Sequence, residues 1–295
     1  MHEVLLLSLD EGCLRAPVLA CRDALTAEGA QVSTVIAGSD AELDKVIARL
    51  DGPDRPDGLT FPAAFPAASP AASPAMDEPW EVPRLVVAAA AVGQVRAVLR
   101  RMVRRYAPPP SRRPSDLRAD RTVPDLPPVG VLPLYGAGLF DLPTDPAEVA
   151  KAVLHGTAYR LDLLRTDAGS VTLDGALVGG EGGFGAGVEV DGVVLARPDE
   201  PIAACVIGNG SGYAMVNGLP LVPAADPADG ILNVAVAVPV RVRRRPRVEV
   251  RRAQGRAVSV TPVGEVPLLD DGVAGTLARK RSWWLERRAW AVFRS

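Results

Sequence analysis

Carboxylates and glycines, with almost no histidine, are the chemical resource of this sequence. Asp226 and Asp229 precede Gly230, and Asp270 and Asp271 precede Gly272. Carboxylates so grouped can hold a divalent ion. They equally suit turns, where an aspartate side chain bonds nearby backbone, and Asp226 reads best that way. Glycines cluster at residues 136–138, 179–187 and 209–212. A glycine run lets backbone N–H groups reach a phosphate, because no β-carbon blocks the approach. Residues 179–187 run into a strand pattern and not a helix, so they read as a loop more readily than as a nucleotide site. Asn209-Gly-Ser-Gly212 lacks the Gly-x-Ser-x-Gly order of a nucleophile elbow. With His2 and His155 the only histidines, a serine hydrolase has no evident base.

A second resource is arginine. Eight arginines fall between positions 241 and 256, and Arg279, Lys280 and Arg281 precede Trp283 and Trp284. A basic stripe with interfacial tryptophans can meet anionic lipid headgroups. The plainer reading is a solvated strand face whose arginines alternate with buried Val242, Val248 and Val250.

The elements that must position these groups fall into two textures. Early on, strand and helix alternate. Residues 4–7, 32–36, 85–91 and 129–134 are short apolar runs of the kind that form buried parallel strands. Between them, Leu14, Val18, Cys21 and Leu25 recur at helical spacing, with Gly29 able to stop the helix. Ser39 and Glu42 form a capping-box pattern ahead of Leu43, Val46, Ile47 and Leu50. Val95, Val98, Leu99, Met102, Val103 and Tyr106 make a third stripe, with arginines opposite. This order predicts a parallel sheet covered by helices on both faces. The Pro-Ala-rich stretch 61–79 and the Pro-Arg-Asp-rich stretch 107–128 read as surface insertions that fill no core.

Asp145, Pro146 and Glu148 mark a helix start as cap, first residue and box partner. From residue 158 short strands and turns dominate. Residues 188–195 form a hairpin around Asp191-Gly192, a type I′ signal. Strands are expected at 202–207, 231–238, 248–252, 257–261, 266–269, 283–285 and 289–293. The fold class is therefore α/β plus β: a parallel-sheet domain over 1–134, then an antiparallel β-sandwich over 135–295 whose last strands can return to the first domain.

Composition supports this division. The chain has 295 residues, 48% hydrophobic and 23% charged, with a net charge of −2. That suffices for two cored domains and argues against a general nucleic-acid binder. Cys13, Cys21 and Cys205 are odd in number and widely spaced, which fits a reducing compartment and no disulfide framework. No apolar run approaches the roughly 20 residues of a membrane span, and the short apolar start lacks a basic flank. A cytoplasmic location is expected.

The order of Gly130-Val-Leu-Pro-Leu134, Tyr159-Arg-Leu-Asp-Leu163, Val206-Ile-Gly-Asn-Gly210 and Pro223–Val234 with its Asp229-Gly230 resembles the diacylglycerol kinase family, including bacterial lipid kinases. The resemblance covers nearly the whole chain. It implies the two-domain fold shared with NAD kinases, an active cleft between the domains, and ATP and magnesium as cofactors. On that plan Gly93, Gly136 and Gly138 would be nucleotide-binding, Asp141 and Asp271 catalytic, and Asp229 a metal ligand.

The family's chemistry needs a Gly-Gly-Asp-Gly-Thr loop, a Gly-Thr-Gly-Asn-Asp stretch and a late Asp-Gly-Glu. Here the first reads Ala88-Ala-Ala-Ala-Val-Gly93. The second reads Tyr135-Gly-Ala-Gly-Leu-Phe-Asp141, and the third Asp271-Gly-Val273; Asn233 stands where an acid is usual. Losing one charge-stabilising group commonly costs about 10² in rate. The preferred expectation is a weakened or inactive relative that binds a lipid-like or phosphorylated small molecule or a protein partner, with membrane-surface contact open. The alternatives are an active kinase with Asp141, Asp162, Asp229 and Asp271 rearranged around magnesium, or a cleft turned to other small-molecule chemistry.

Overall fold

The computed structural model describes residues 2–9, 15–63, 82–135, 142–180, 183–223, 225–242 and 245–295. They divide into two compact units, Met1–Leu161 with Ala289–Ser295, and Asp162–Arg288. The division falls at Leu161/Asp162 and not at 134/135, because the helix that follows residue 145 packs within the first unit. Residues Ala289–Ser295 belong to the first unit.

In the first unit, β1 (Glu3–Ser8), β2 (Gln31–Ile36), β3 (Arg84–Ala89) and β4 (Pro128–Pro133) form a parallel sheet in the order β4-β3-β1-β2. β1, β3 and β4 are buried on both faces, as the uninterrupted apolar runs require. The helices are α1 (Ala16–Ala27), α2 (Asp40–Ala48), α3 (Val92–Tyr106) and α4 (Pro146–His155). Val18, Cys21 and Leu25 of α1 join Val149, Val153 and Leu154 of α4 in one core with Val4, Leu6, Val86 and Leu132.

The six-residue stripe of α3 is buried as spaced. Truncating one member, as in Leu99→Ala, is expected to cost about 2–5 kcal/mol. The arginines opposite are not merely solvated. Arg101 pairs with Asp44 and Asp40 of α2, and Arg105 with Asp51. The Arg101 hydrogen bond holds the Asp44 carboxyl below its usual range. Ser39 accepts from Glu42 N, but Glu42 reaches back to Gly38 N, one residue before the cap. Asp145 accepts from Ala147 N and Glu148 N.

The stretch 107–128 departs from expectation. Val123 and Leu126 are fully buried, and Leu126 N donates to Ala289 O at 2.8 Å. Its prolines hide two apolar anchors, so this segment does fill core. Residues 64–79 of the other insertion lie outside the described residues.

Strand β5 (Thr157–Thr166) carries the chain into the second unit. There follow β6 (Val171–Thr172), β7 (Gly175–Val178), β8 (Phe184–Val190), β9 (Val193–Ala196), β10 (Pro201–Ile202), β11 (Ala204–Gly208), β12 (Met215–Val216) and β13 (Leu219–Pro220). The remaining strands are β14 (Leu232–Val242), β15 (Arg245–Gly255), β16 (Ala257–Pro262), β17 (Val266–Asp270), β18 (Val273–Leu277) and β19 (Arg281–Arg294). One sheet runs β15-β14-β11-β7-β17-β18; the other pairs β10, β8, β16 and β19. Side chains from both sheets, including Val188, Val258, Trp283, Ile207, Val234 and Leu268, share one core. This is a β-sandwich.

Three expectations for this unit are corrected. The strand expected at 202–207 is two, broken at Ala203, with β10 on β8 and β11 on β14. The strands expected at 283–285 and 289–293 are one, β19, in which Arg288 takes a positive φ of 51°. Trp283 is no interfacial tryptophan. It is fully buried, and its indole N–H donates to Thr172 Oγ1 at 3.3 Å. The Asp191-Gly192 turn has the two positive φ values of type I′.

Candidate functional site

The first unit offers its ligand position by topology. The chain runs from β1 to β2 on one side, then returns to β3 on the other. In open α/β sheets ligands sit where the carboxyl ends of such strands diverge. Here that place is the junction from β3 into α3. Ala90 N donates to Gln94 Oε1 at 2.5 Å. Ala91 is the N-cap, extended and without a side-chain hydrogen bond.

Gly93, expected in a phosphate-binding loop, is the second residue of α3. The loop positions are alanines, and one of their amides is satisfied by the protein itself. On the opposite side, Leu134 N donates to Ala89 O at 2.9 Å. Arg15, the N-cap of α1, lies with its guanidinium 5.1 Å from the Tyr135 ring centre and hydrogen-bonds its hydroxyl. Gly136, Gly138 and Asp141 lie outside the described residues.

The second unit gathers the remaining candidates around the turn at Leu173–Gly175. Asp271 opens the tight turn between β17 and β18, with φ 50°. The residue is buried, with 3% of its surface exposed. Oδ2 accepts from Leu173 N at 2.8 Å, and Oδ1 from Asp174 N at 2.9 Å and Gly175 N at 3.2 Å. Burial, then the charge of neighbouring Asp270, pushes the Asp271 carboxyl up to about 7 against the pull of these three amides. Asp270 accepts from Thr172 Oγ1 at 2.8 Å. Val273, standing where the resemblance expects glutamate, is 46% exposed.

Around this turn lies the glycine segment 208–212. Asn209 is fully buried and its amide donates to Asp162 O and Leu173 O. Gly212 N donates to Asp174 Oδ1 at 3.0 Å. A β-carbon on Gly210 or Gly212 would fall 2.2 or 1.7 Å from that carboxylate. The glycines are therefore required to admit Asp174. Tyr213 closes the group, its hydroxyl accepting from Gly272 N at 3.1 Å. Asp174 and Tyr213 were not singled out by sequence. The glycine pair beside Tyr213 was the visible signal for one, and nothing local marks Asp174.

Asp162 is fully buried and takes Gly230 N at 2.6 Å and Arg288 N at 2.7 Å. Asp229 and Asp226 accept from Ile231 N and Ala228 N, each two residues on. Both are Asx turns. Burial raises the carboxyls of Asp162, Asp174 and Asp229.

Magnesium seeks several oxygen ligands in near-octahedral array. Among the described residues no three His, Cys, Asp or Glu side chains form a group able to hold a metal. Asp271 presents both oxygens to backbone amides, whose positive ends oppose a cation, and Asp229 turns one of its two onto Ile231 N. The described residues thus do not fit bound magnesium, and the Ala90–Ala91 junction does not fit a nucleotide phosphate.

The arginine run divides. Arg251 pairs with Glu200 through two hydrogen bonds at 2.6 and 2.7 Å, and Arg252 donates to Leu221 O and Pro220 O. Val248, expected to be buried, is 48% exposed. Among the described residues no helix is long and apolar enough to cross a membrane.

No family model matches the chain, and no curated protein matches it. Solved structures do. A diacylglycerol kinase from Bacillus anthracis is similar at a TM-score of 0.63 and 12% identity, over 100% of this chain and 97% of that one. An NAD kinase from Archaeoglobus fulgidus, in complex with ATP, gives 0.57 and 14% over 99% and 93%. Yeast NADH kinase complexed with NADH gives 0.54 and 10% over 100% and 84%. At such identities the likeness is one of architecture: this chain has the diacylglycerol kinase fold, which NAD kinases resemble.

Proposed function

We propose that this protein uses the diacylglycerol kinase fold to bind a lipid-like or phosphorylated small molecule, and that it transfers little or no phosphate. The observation that carries this reading is the inward orientation of Asp271, whose oxygens cap Leu173, Asp174 and Gly175. A carboxylate so engaged leaves a substrate hydroxyl no free line of approach, since its lone pairs already face three backbone donors. The closed junction at Ala90 supports the same reading from the first unit.

An active kinase with rearranged acids is the second reading. Against it, Asp162, Asp229 and Asp271 each accept backbone N–H groups within the second unit. The test is calorimetric titration with ATP and magnesium, followed by titration with diacylglycerol in detergent micelles. The proposal expects no saturable nucleotide heat and retained lipid binding. Magnesium-dependent ATP binding with turnover would favour the second reading.

A further inference from the structure

The hairpin of β14 and β15 outruns its sheet. β11 accompanies β14 only from Asn233 to Ala237, whereas β14 and β15 stay in register to Val242↔Arg245. Past Val238 the two strands form a ribbon paired with each other. Residues directly opposite in an antiparallel pair share a face. Pro239, Arg241 and Val248 therefore lie on one face, and Val240, Arg245 and Arg247 on the other.

Arg241, Arg245 and Arg247 are exposed. None makes a hydrogen bond or ion pair among the described residues. The acid nearest in sequence, Glu249, is paired with Arg251. So the same run that anchors the unit through Arg251 and Arg252 leaves three guanidinium groups unspent at its end, Arg241 on the face of exposed Pro239 and Val248 and the other two on the opposite face.

Guanidinium groups match phosphate oxygens in charge and geometry. Exposed apolar side chains on the same ribbon suit a surface that offers phosphates above acyl chains. Duplex nucleic acid offers the phosphates alone, and for a single strand the ribbon end carries no aromatic ring on which bases could stack. The chain's net charge of −2 also argues against general nucleic-acid affinity.

We infer that the exposed end of the β14–β15 hairpin, with Arg241 and Val248 on one face and Arg245 and Arg247 on the other, docks this protein end-on against an anionic phospholipid surface. This surface is independent of whether the protein transfers phosphate.

The test is co-sedimentation of the full chain with vesicles of phosphatidylcholine alone or mixed with phosphatidylglycerol. Binding to the mixed vesicles, absent with phosphatidylcholine alone and weakening with salt, is expected. At about fivefold per arginine, R241Q/R245Q/R247Q should lower the partition constant about 100-fold. R104Q, on the exposed face of α3, should leave it unchanged. If the triple variant fails to fold, R245Q alone should lose about fivefold. The inference is overturned if the native chain ignores mixed vesicles at low salt, if a folded triple variant still binds them, or if duplex DNA is preferred at equal salt.

Discussion

Ala90 and Gln94 close the mouth of the β3–α3 junction: the amide of the first meets the side-chain oxygen of the second at 2.5 Å. An amide at that place is what an incoming phosphate would use. Here it already has an acceptor four residues along the same chain. The glutamine reaches back from the first turn of α3 to the residue before the N-cap, as Glu42 does to Gly38 in α2.

Gln94→Ala should therefore lower stability by about 1 kcal/mol, the usual net value of one hydrogen bond. Urea denaturation followed by circular dichroism measures it. The freed amide should not by itself create ATP binding, because Ala90 and Ala91 still carry β-carbons where a glycine loop is needed.

Asp271 is predicted to be structural. Asp271→Ala strands the amides of Leu173, Asp174 and Gly175 and should cost about 3 kcal/mol or more. Asp271→Asn keeps a carbonyl acceptor and tolerates the φ of 50°, so its loss should be clearly smaller. Equal stability of the alanine variant and the native chain would remove the capping role.

Stability should also depend on pH through the same residue. In an unfolded chain an aspartate titrates near pH ~3.9. In the fold Asp271 keeps its proton up to about 7. The stability it contributes is full below the unfolded value and is lost as pH rises through the folded one. Asp162, Asp174 and Asp229 are raised in the same direction by burial. The denaturation midpoint should fall as pH rises from roughly 4 towards 7, and Asp271→Asn should remove much of that slope. A midpoint that climbs over this range would contradict the assignment.

Gly230 is held at φ 76°, and a β-carbon there would lie 2.5 Å from Arg287 Nε. Gly230→Ala should cost about 1–3 kcal/mol from the backbone alone, plus whatever displacing the guanidinium requires. The double variant with Arg287→Ala should recover the second part and not the first. Chemical denaturation of the four-member cycle separates them.

Much of this architecture is legible where a local pattern decides it. The α3 stripe, the Asp145 cap with Pro146 behind it and the Asp191-Gly192 turn are each set by residues within a few positions of one another, and each forms as read. What escapes is set by partners far along the chain. Asp271 looks like a catalytic acid or a turn residue until Leu173, nearly a hundred positions earlier, is placed against it. Trp283 looks interfacial beside Arg281 and Trp284, yet its strand neighbour β16 turns it inward onto Thr172. Val123 and Leu126 are masked by surrounding prolines and arginines. Val248 alternates correctly for burial, but the ribbon outruns the sheet that would have covered it. The family resemblance reached the fold, because an ordered series of short segments carries topology even when individual site residues have changed.

The most direct measurement is transfer of label from radiolabelled ATP to diacylglycerol in mixed micelles with magnesium, using the purified full chain. The account predicts no phosphatidic acid above a protein-free control, because the late acid faces backbone amides and the junction after β3 is shut. Steady, magnesium-dependent formation of labelled phosphatidic acid, abolished by Asp271→Asn in a folded variant, would contradict it.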